Sequence, residues 1–287
     1  MLARALPLVA SFVALAALPA TALAWCQSAN VQAPTGSCMQ RCPEPRDAGD
    51  RPFLRLAWDD RDLTWQLERG GSRDVARDVV IAVVDRSFYR WTNVTCGAHA
   101  LDFAVSFDSS PNDDPVAVHT LVGPNENQVL FDDAWAAHDH DPAAYALTTV
   151  HFSTVTGELL GADLELNEEH WRFTTCPPEG CVDGAVDLEN VVTHEIGHFF
   201  GLAHTPDDED ATMWACSAPG DVHMRDLEAD DVAGICALYG GRVTGGCGCS
   251  VPGASFDARR DEGVWLAVVV LGVGSARRLR RRRLART

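Results

Sequence analysis

The 287-residue chain contains no lysine: all 23 basic residues are arginine, set against 41 Asp and Glu, for a formal charge of −18. Residues 25–256 are more acidic still, with 13 arginines against 38 acids, a balance of −25. A surface of that sign repels phosphate backbones and anionic membranes, so nucleic acid is excluded as a partner. The acidity leaves calcium sites open, because Ca2+ is held by carboxylate oxygens, although acidic loops are more often simply solvated. A long uninterrupted apolar run is also missing from the second half. The apolar segment 263–276 would make about 21 Å of helix, short of the roughly 30 Å hydrocarbon core, and a permanent span is not expected there.

Both ends read as addresses. Residues 1–24 run from Arg4 through an apolar stretch to Ala22-Leu23-Ala24, the pattern of a secretory signal peptide with a small-residue cleavage site. At the other end, GGCGCSVPG is followed by the apolar segment and then by seven arginines, which should stay cytoplasmic and leave the rest of the chain outside. Between the ends, residues 25–60 form a Cys-containing lead-in, residues 61–241 a domain, and residues 242–287 the tail. Ten cysteines in an exported chain indicate disulfides. Eight of them precede the tail. Cys176 with Cys181 and Cys216 with Cys236 are the local pairings that spacing suggests.

The chemistry is concentrated in THEIGHFFGLAHT, residues 193–205. His194 and His198 lie four apart, which on a helix separates them by about 6 Å of rise and roughly 40° of rotation, so both imidazoles leave one face. His204 would lie about 15 Å further along a continuing helix and could not share an ion bound at about 2.0–2.1 Å. The chain must turn back, and Gly201 stands where a left-handed helix end is needed. Two ligands on a helix and a third beyond its end leave the fourth position of a tetrahedral zinc open. Glu195 follows the first histidine and is placed to act as general base on water. Two histidines four apart are common on helices without function; adding Gly201 and His204 makes chance a poor account.

HEIGHFFGLAH resembles the HExxHxxGxxH signature of the metzincin zinc endopeptidases. VDLENVVTHEIGHFFGLAHT, ATMWA at 211–215 and LEADDVAGICALYG at 227–240 narrow the resemblance to matrixins, with Met213 as the methionine of the Met-turn beneath the metal. The resemblance implies an α+β fold: a twisted mixed sheet of about five strands, three main helices, and one catalytic zinc in the cleft between a larger N-terminal and a smaller C-terminal subdomain. Astacins and serralysins carry a tyrosine two residues after that methionine; here the position is Ala215, so a tyrosine ligand is not expected. It also implies that an extended protein or peptide substrate lies along an edge strand, which is assigned to Ala162, Asp163, Leu164, Glu165, Leu166 and Asn167. Glu165 stands where matrixins place a histidine for a second, structural zinc, and the HDH at 138–140 is the best remaining metal candidate. RCPEP at 41–45 is similar to the matrixin propeptide motif whose thiolate covers the zinc, but Pro43 departs from it, the segment ahead of it is very short, and Cys26 and Cys38 offer Cys42 disulfide partners, so a structural bridge is expected ahead of a thiol switch. The tail resembles the cysteine-containing sorting signals of myxobacteria, which implies processing near Cys247 or Cys249, a transient hold in the inner membrane and release to the cell surface; a plain tail anchor is the alternative.

Elsewhere, TWQL, LDFAVSF, NQVLF and ALTTVHF read as strands, and Ser72 as the N-cap of a helix running to about Trp91 with Val80, Val84, Phe88 and Trp91 as its core stripe. The expectation is a monomeric secreted zinc endopeptidase; the alternative is a surface adhesin that keeps the fold without proteolysis. Intact Glu195 favours the enzyme.

Overall fold

A computed structural model of the protein describes residues 25–31, 38, 40–112 and 126–240, together with the backbone of 269–271 and 274–275. The signal peptide and the sorting motif at Cys247 and Cys249 lie outside the described residues. The strands are β1 (Cys26–Gln27), β2 (Asp62–Leu67), β3 (Thr95–Cys96), β4 (His99–Ala100), β5 (Ala104–Phe107), β6 (Asn127–Asp132), β7 (Ala146–Phe152), β8 (Leu159–Asn167), β9 (Phe173–Thr174), β10 (Val186–Asp187), β11 (Leu202–Ala203), β12 (Cys216–Ser217), β13 (Val269–Leu271) and β14 (Gly274–Ser275). The helices are α1 (Arg77–Thr92), α2 (Leu188–Phe199) and α3 (Ala229–Tyr239).

Five strands of the domain form one mixed sheet in the order β7-β8-β6-β2-β5, and β13 from the tail extends it beyond β7. The pairs β2 with β5, β2 with β6 and β6 with β8 are parallel, whereas β7 runs antiparallel to β8. Parallel strands carry helices on their faces and read as near-continuous apolar runs. Accordingly β6, β7 and nearly all of β8 are buried. The sheet and the three helices are those expected of the fold class.

The apolar stripe of α1 buries Val80, Val84, Phe88 and Trp91. The helix starts at Arg77, later than Ser72 suggests. Ser72 instead accepts from the amides of Asp74 and Val75 at 3.0 Å, and its hydroxyl also bonds Glu168, so it shapes the turn before the helix. Phe88 meets Phe199 of α2 edge-on at 5.0 Å, and Trp91 donates its indole N–H to the carbonyl of Thr193 at 2.8 Å. These contacts press α1 against the zinc-motif helix. Each fully buried aromatic side chain contributes roughly 1.5–3 kcal/mol through removal of apolar surface from water.

Among the described residues there are four disulfides: Cys26–Cys42, Cys38–Cys216, Cys96–Cys236 and Cys176–Cys181. The local pairing of Cys176 with Cys181 is found. Cys216 with Cys236 is not, because each is claimed by a cysteine far away in sequence. Cys42 is bonded to Cys26, which leaves it no thiolate to cover a metal. No helix among the described residues is long and apolar enough to cross a membrane.

Candidate metal centre

Asp187 caps α2 by accepting from the amide of Asn190 at 2.8 Å, and its carboxylate is held in turn by the guanidinium of Arg225 and the amide of Cys176. The start of the helix is thereby fixed from three sides. Every residue of α2 is buried, including His194, Glu195 and His198. At its end Gly201 adopts φ 87°, and a Cβ there would stand 2.7 Å from the carbonyl oxygen of Leu56. Only glycine fits both the left-handed backbone and that close approach. The chain then reverses through β11 and brings His204 back to the helix.

The three imidazoles converge. Nε2 of His204 lies 3.2 Å from Nε2 of both His194 and His198. The opposite ring atoms settle the tautomers. Nδ1 of His194 is 2.6 Å from the carbonyl of Thr212 and Nδ1 of His198 is 2.8 Å from the carbonyl of Leu202. A carbonyl only accepts, so each Nδ1 carries the proton and each Nε2 presents a lone pair. Burial also drives the imidazoles towards the neutral form, with His194 lowered to about 4 and His198 and His204 well below their ordinary value. A cation among the three rings would take up these lone pairs. Tetrahedral bonds of about 2.0–2.1 Å put two ligand atoms roughly 3.3–3.4 Å apart, so the donor set fits zinc.

Glu195 is fixed by Thr148 of β7, whose hydroxyl donates to Oε2 at 2.7 Å and also lies 3.1 Å from the backbone carbonyl of Glu195. Met213 is buried beneath the helix. Its amide and that of Thr212 donate to the carboxylate of Asp231 on α3, at 3.0 and 2.8 Å, so α3 holds the methionine turn. Burial raises the Asp231 carboxyl to about 6 despite those amides.

The second glycine of the motif has a packing reason. A Cβ on Gly197 would meet the sulfur of Met213 at 2.1 Å and Cζ2 of Trp91 at 2.8 Å. Gly197→Ala should gain up to about 1 kcal/mol of helix propensity but lose about 1–3 to overpacking, because the Trp91 ring is locked by its bond to Thr193. The expected outcome is a lower thermal midpoint; an unchanged or higher one would show that Met213 moves aside freely.

The matrixin family model matches residues 57–240, well over half of the chain. The chain belongs to the matrixin family. Metalloendoproteinase 2-MMP of Arabidopsis thaliana is 30% identical over 205 residues, which cover 71% of this chain and 47% of that protein. Metalloendoproteinase 5-MMP of the same plant is 31% identical over 195 residues, covering 67% of this chain and 47% of the relative. Interstitial collagenase of Bos taurus is 26% identical over 216 residues, or 70% of this chain and 36% of the collagenase. The chain thus spans about half the length, or less, of the curated relatives it matches.

Within this matrixin the expected substrate strand needs correction. Ala162, Asp163, Leu164, Glu165, Leu166 and Asn167 lie in β8, which is paired on both sides, by β6 and β7, and so has no free edge. The strand that flanks β8 towards the metal centre, and the one that carries Thr148 to Glu195, is β7, whose outer side is paired, among the described residues, only by β13 of the tail. The HDH segment does gather potential ligands: Asp132, His138 and His140 each offer an atom within 4.8 Å of the others. Nδ1 of His138 is 2.7 Å from Asp132, Nε2 of His140 is 3.7 Å from Glu165, and burial pushes the Glu165 carboxyl up to about 7. Thr148, Gly197 and Asp231 carry no signature of their own in the motif and become visible only through packing.

Proposed function

We propose that this matrixin is a secreted, zinc-dependent endopeptidase in which His194, His198 and His204 hold the metal and Glu195 is the general base. The observation that supports it is the convergence of three Nε2 atoms, those of His194 and His198 unprotonated, beside a carboxylate held by Thr148. Zinc bound there would lower the pKa of water and polarise the scissile carbonyl. Glu195 takes a proton from the attacking water and delivers it to the departing amine, so one carboxyl serves both halves of the hydrolysis. Thr148 restricts the carboxyl to one orientation while it does so. Four disulfides agree with an oxidising, extracytoplasmic location, and the signal peptide would supply the export.

The substrate is read as an extended peptide added to β7. The chain's own tail supports this register: β13 runs antiparallel along Thr148–Val150 of β7, and β14 runs parallel to Cys216 and Ser217, just after the methionine turn. An extended segment can therefore bridge the two walls through backbone bonds, which tolerate varied side chains. A tethered competitor acts at an effective concentration in the millimolar range. A chain ending at residue 241 is expected to show a lower apparent KM for a fluorogenic peptide than the full chain, and equal KM values would argue against competition by the tail.

Incubation of the metal-loaded protein with a mixed peptide library, with and without a chelator, tests the main reading. Cleavage at internal peptide bonds that stops with chelator is expected. Release of small amines only, or no cleavage with zinc bound, would replace the endopeptidase by a small-amide hydrolase or an adhesin.

A further inference from the structure

The lead-in is built into the metal centre. Cys26 and Gln27 of β1 pair antiparallel with Ala203 and Leu202, the two residues before His204. Ser28 continues the clasp, its amide donating to the carbonyl of Gly201 at 2.8 Å and its hydroxyl to the carbonyl of Leu202 at 2.9 Å. Two disulfides then anchor residues 38 and 42: Cys42 returns to Cys26, and Cys38 is bonded to Cys216, three residues past Met213. Gln40 lies between these two anchors.

His194 and His198 each donate Nδ1–H to a backbone carbonyl, from Thr212 and Leu202. His204, carried on the return of the turn, has a side chain as its partner instead. Its Nδ1 lies 3.0 Å from Oε1 of Gln40, contributed from 164 residues earlier in the chain. A metal-binding histidine needs such an outer acceptor to fix its tautomer and ring orientation. From the doubly anchored lead-in and this contact, we infer that Gln40 is a positioning residue that accepts the Nδ1 proton of His204 and so aims its Nε2 at the metal. The lead-in is then a working part of the enzyme and not a segment to be discarded. Because the amide is uncharged, the third imidazole gains orientation without the added basicity a carboxylate would confer. This inference rests on the zinc reading above.

The test compares full-length wild type with Gln40→Leu, which removes the acceptor at similar size, and Gln40→Glu, which restores one. Zinc affinity is measured by competition with a chromophoric chelator, the site's symmetry by the visible spectrum of the cobalt(II)-loaded protein, and integrity by the zinc-free thermal midpoint. Gln40→Leu should bind zinc about 10–100-fold more weakly, the usual cost of losing an outer-sphere partner, with a changed cobalt spectrum and a zinc-free midpoint like that of the wild type. Gln40→Glu should recover the affinity. Wild-type affinity in Gln40→Leu would overturn the inference, as would equal weakening in both variants or a loss that merely tracks a lower zinc-free midpoint. Failure of the wild type itself to bind zinc would instead bring down the zinc reading on which the inference stands.

Discussion

Glu195→Gln should lower peptide hydrolysis by about 10²–10⁴-fold, the usual contribution of a positioned general base, while leaving zinc bound. The glutamine is the informative replacement. It keeps the volume of a fully buried side chain and an oxygen that can accept from the Thr148 hydroxyl, so the packing around α2 is disturbed little. It cannot take a proton. Glu195→Ala should lose activity to the same degree but also take away the shorter of the Thr148 hydroxyl's two contacts, leaving the backbone carbonyl of residue 195 at 3.1 Å, which costs roughly 0.5–1.5 kcal/mol of stability for the lost hydrogen bond. The pair of variants separates the proton-transfer role from the structural one. Each tenfold loss of kcat/KM is 1.36 kcal/mol of transition-state stabilisation, so the predicted range is about 3–5 kcal/mol. Turnover by Glu195→Gln at the wild-type rate, with zinc content and melting unchanged, would assign the base elsewhere.

The parts of this site that were legible in the sequence are those governed by local geometry. The spacing of His194, His198 and His204 and the glycine at 201 depend on helix period and on one left-handed residue, and both are encoded within eleven positions. The strand runs and the core stripe of α1 are likewise local periodicities. What was not legible depends on order in space. ALTTVHF and ADLELN both read as strands, and nothing in either says which lies outside the other; the antiparallel return of β7 past β8 decides it. The disulfides fail for the same reason. Cys216 and Cys236 are neighbours in sequence, but their partners lie 178 and 140 residues away, brought there by the lead-in and by the segment after α1. Ser72 has the chemistry of a helix cap, and Glu168, from just past the end of β8, draws it into a different turn. Gly197 occupies a position that the zinc-binding pattern leaves unspecified, and only the sulfur of Met213 and the ring of Trp91 against its backbone show why it is a glycine.

His204→Ala should separate metal affinity, which falls steeply, from the stability of the metal-free fold, which falls little or rises. In the metal-free protein the three Nε2 atoms are buried against one another, two of the separations being 3.2 Å. Burial costs these polar rings their hydration when no cation sits among them, and the same burial holds all three below their ordinary basicity. Removing the third ring relieves the crowding, although it vacates a buried volume, so the zinc-free melting point should fall little or rise. With zinc the order reverses. A ligand that binds only the folded state stabilises it by RT ln(1 + [L]/Kd), about 2.7 kcal/mol at a hundredfold excess over Kd, or roughly 5–11 °C for a domain of this size. Two imidazoles without the third should bind more than about 100-fold more weakly, exceeding the usual cost of losing even an outer partner, and that increment should vanish. Melting curves of both proteins with and without zinc, with metal analysis after dialysis, measure the effect. Were His204→Ala to keep both its zinc and its zinc-dependent rise, the chain reversal at Gly201 would not be what completes the metal centre.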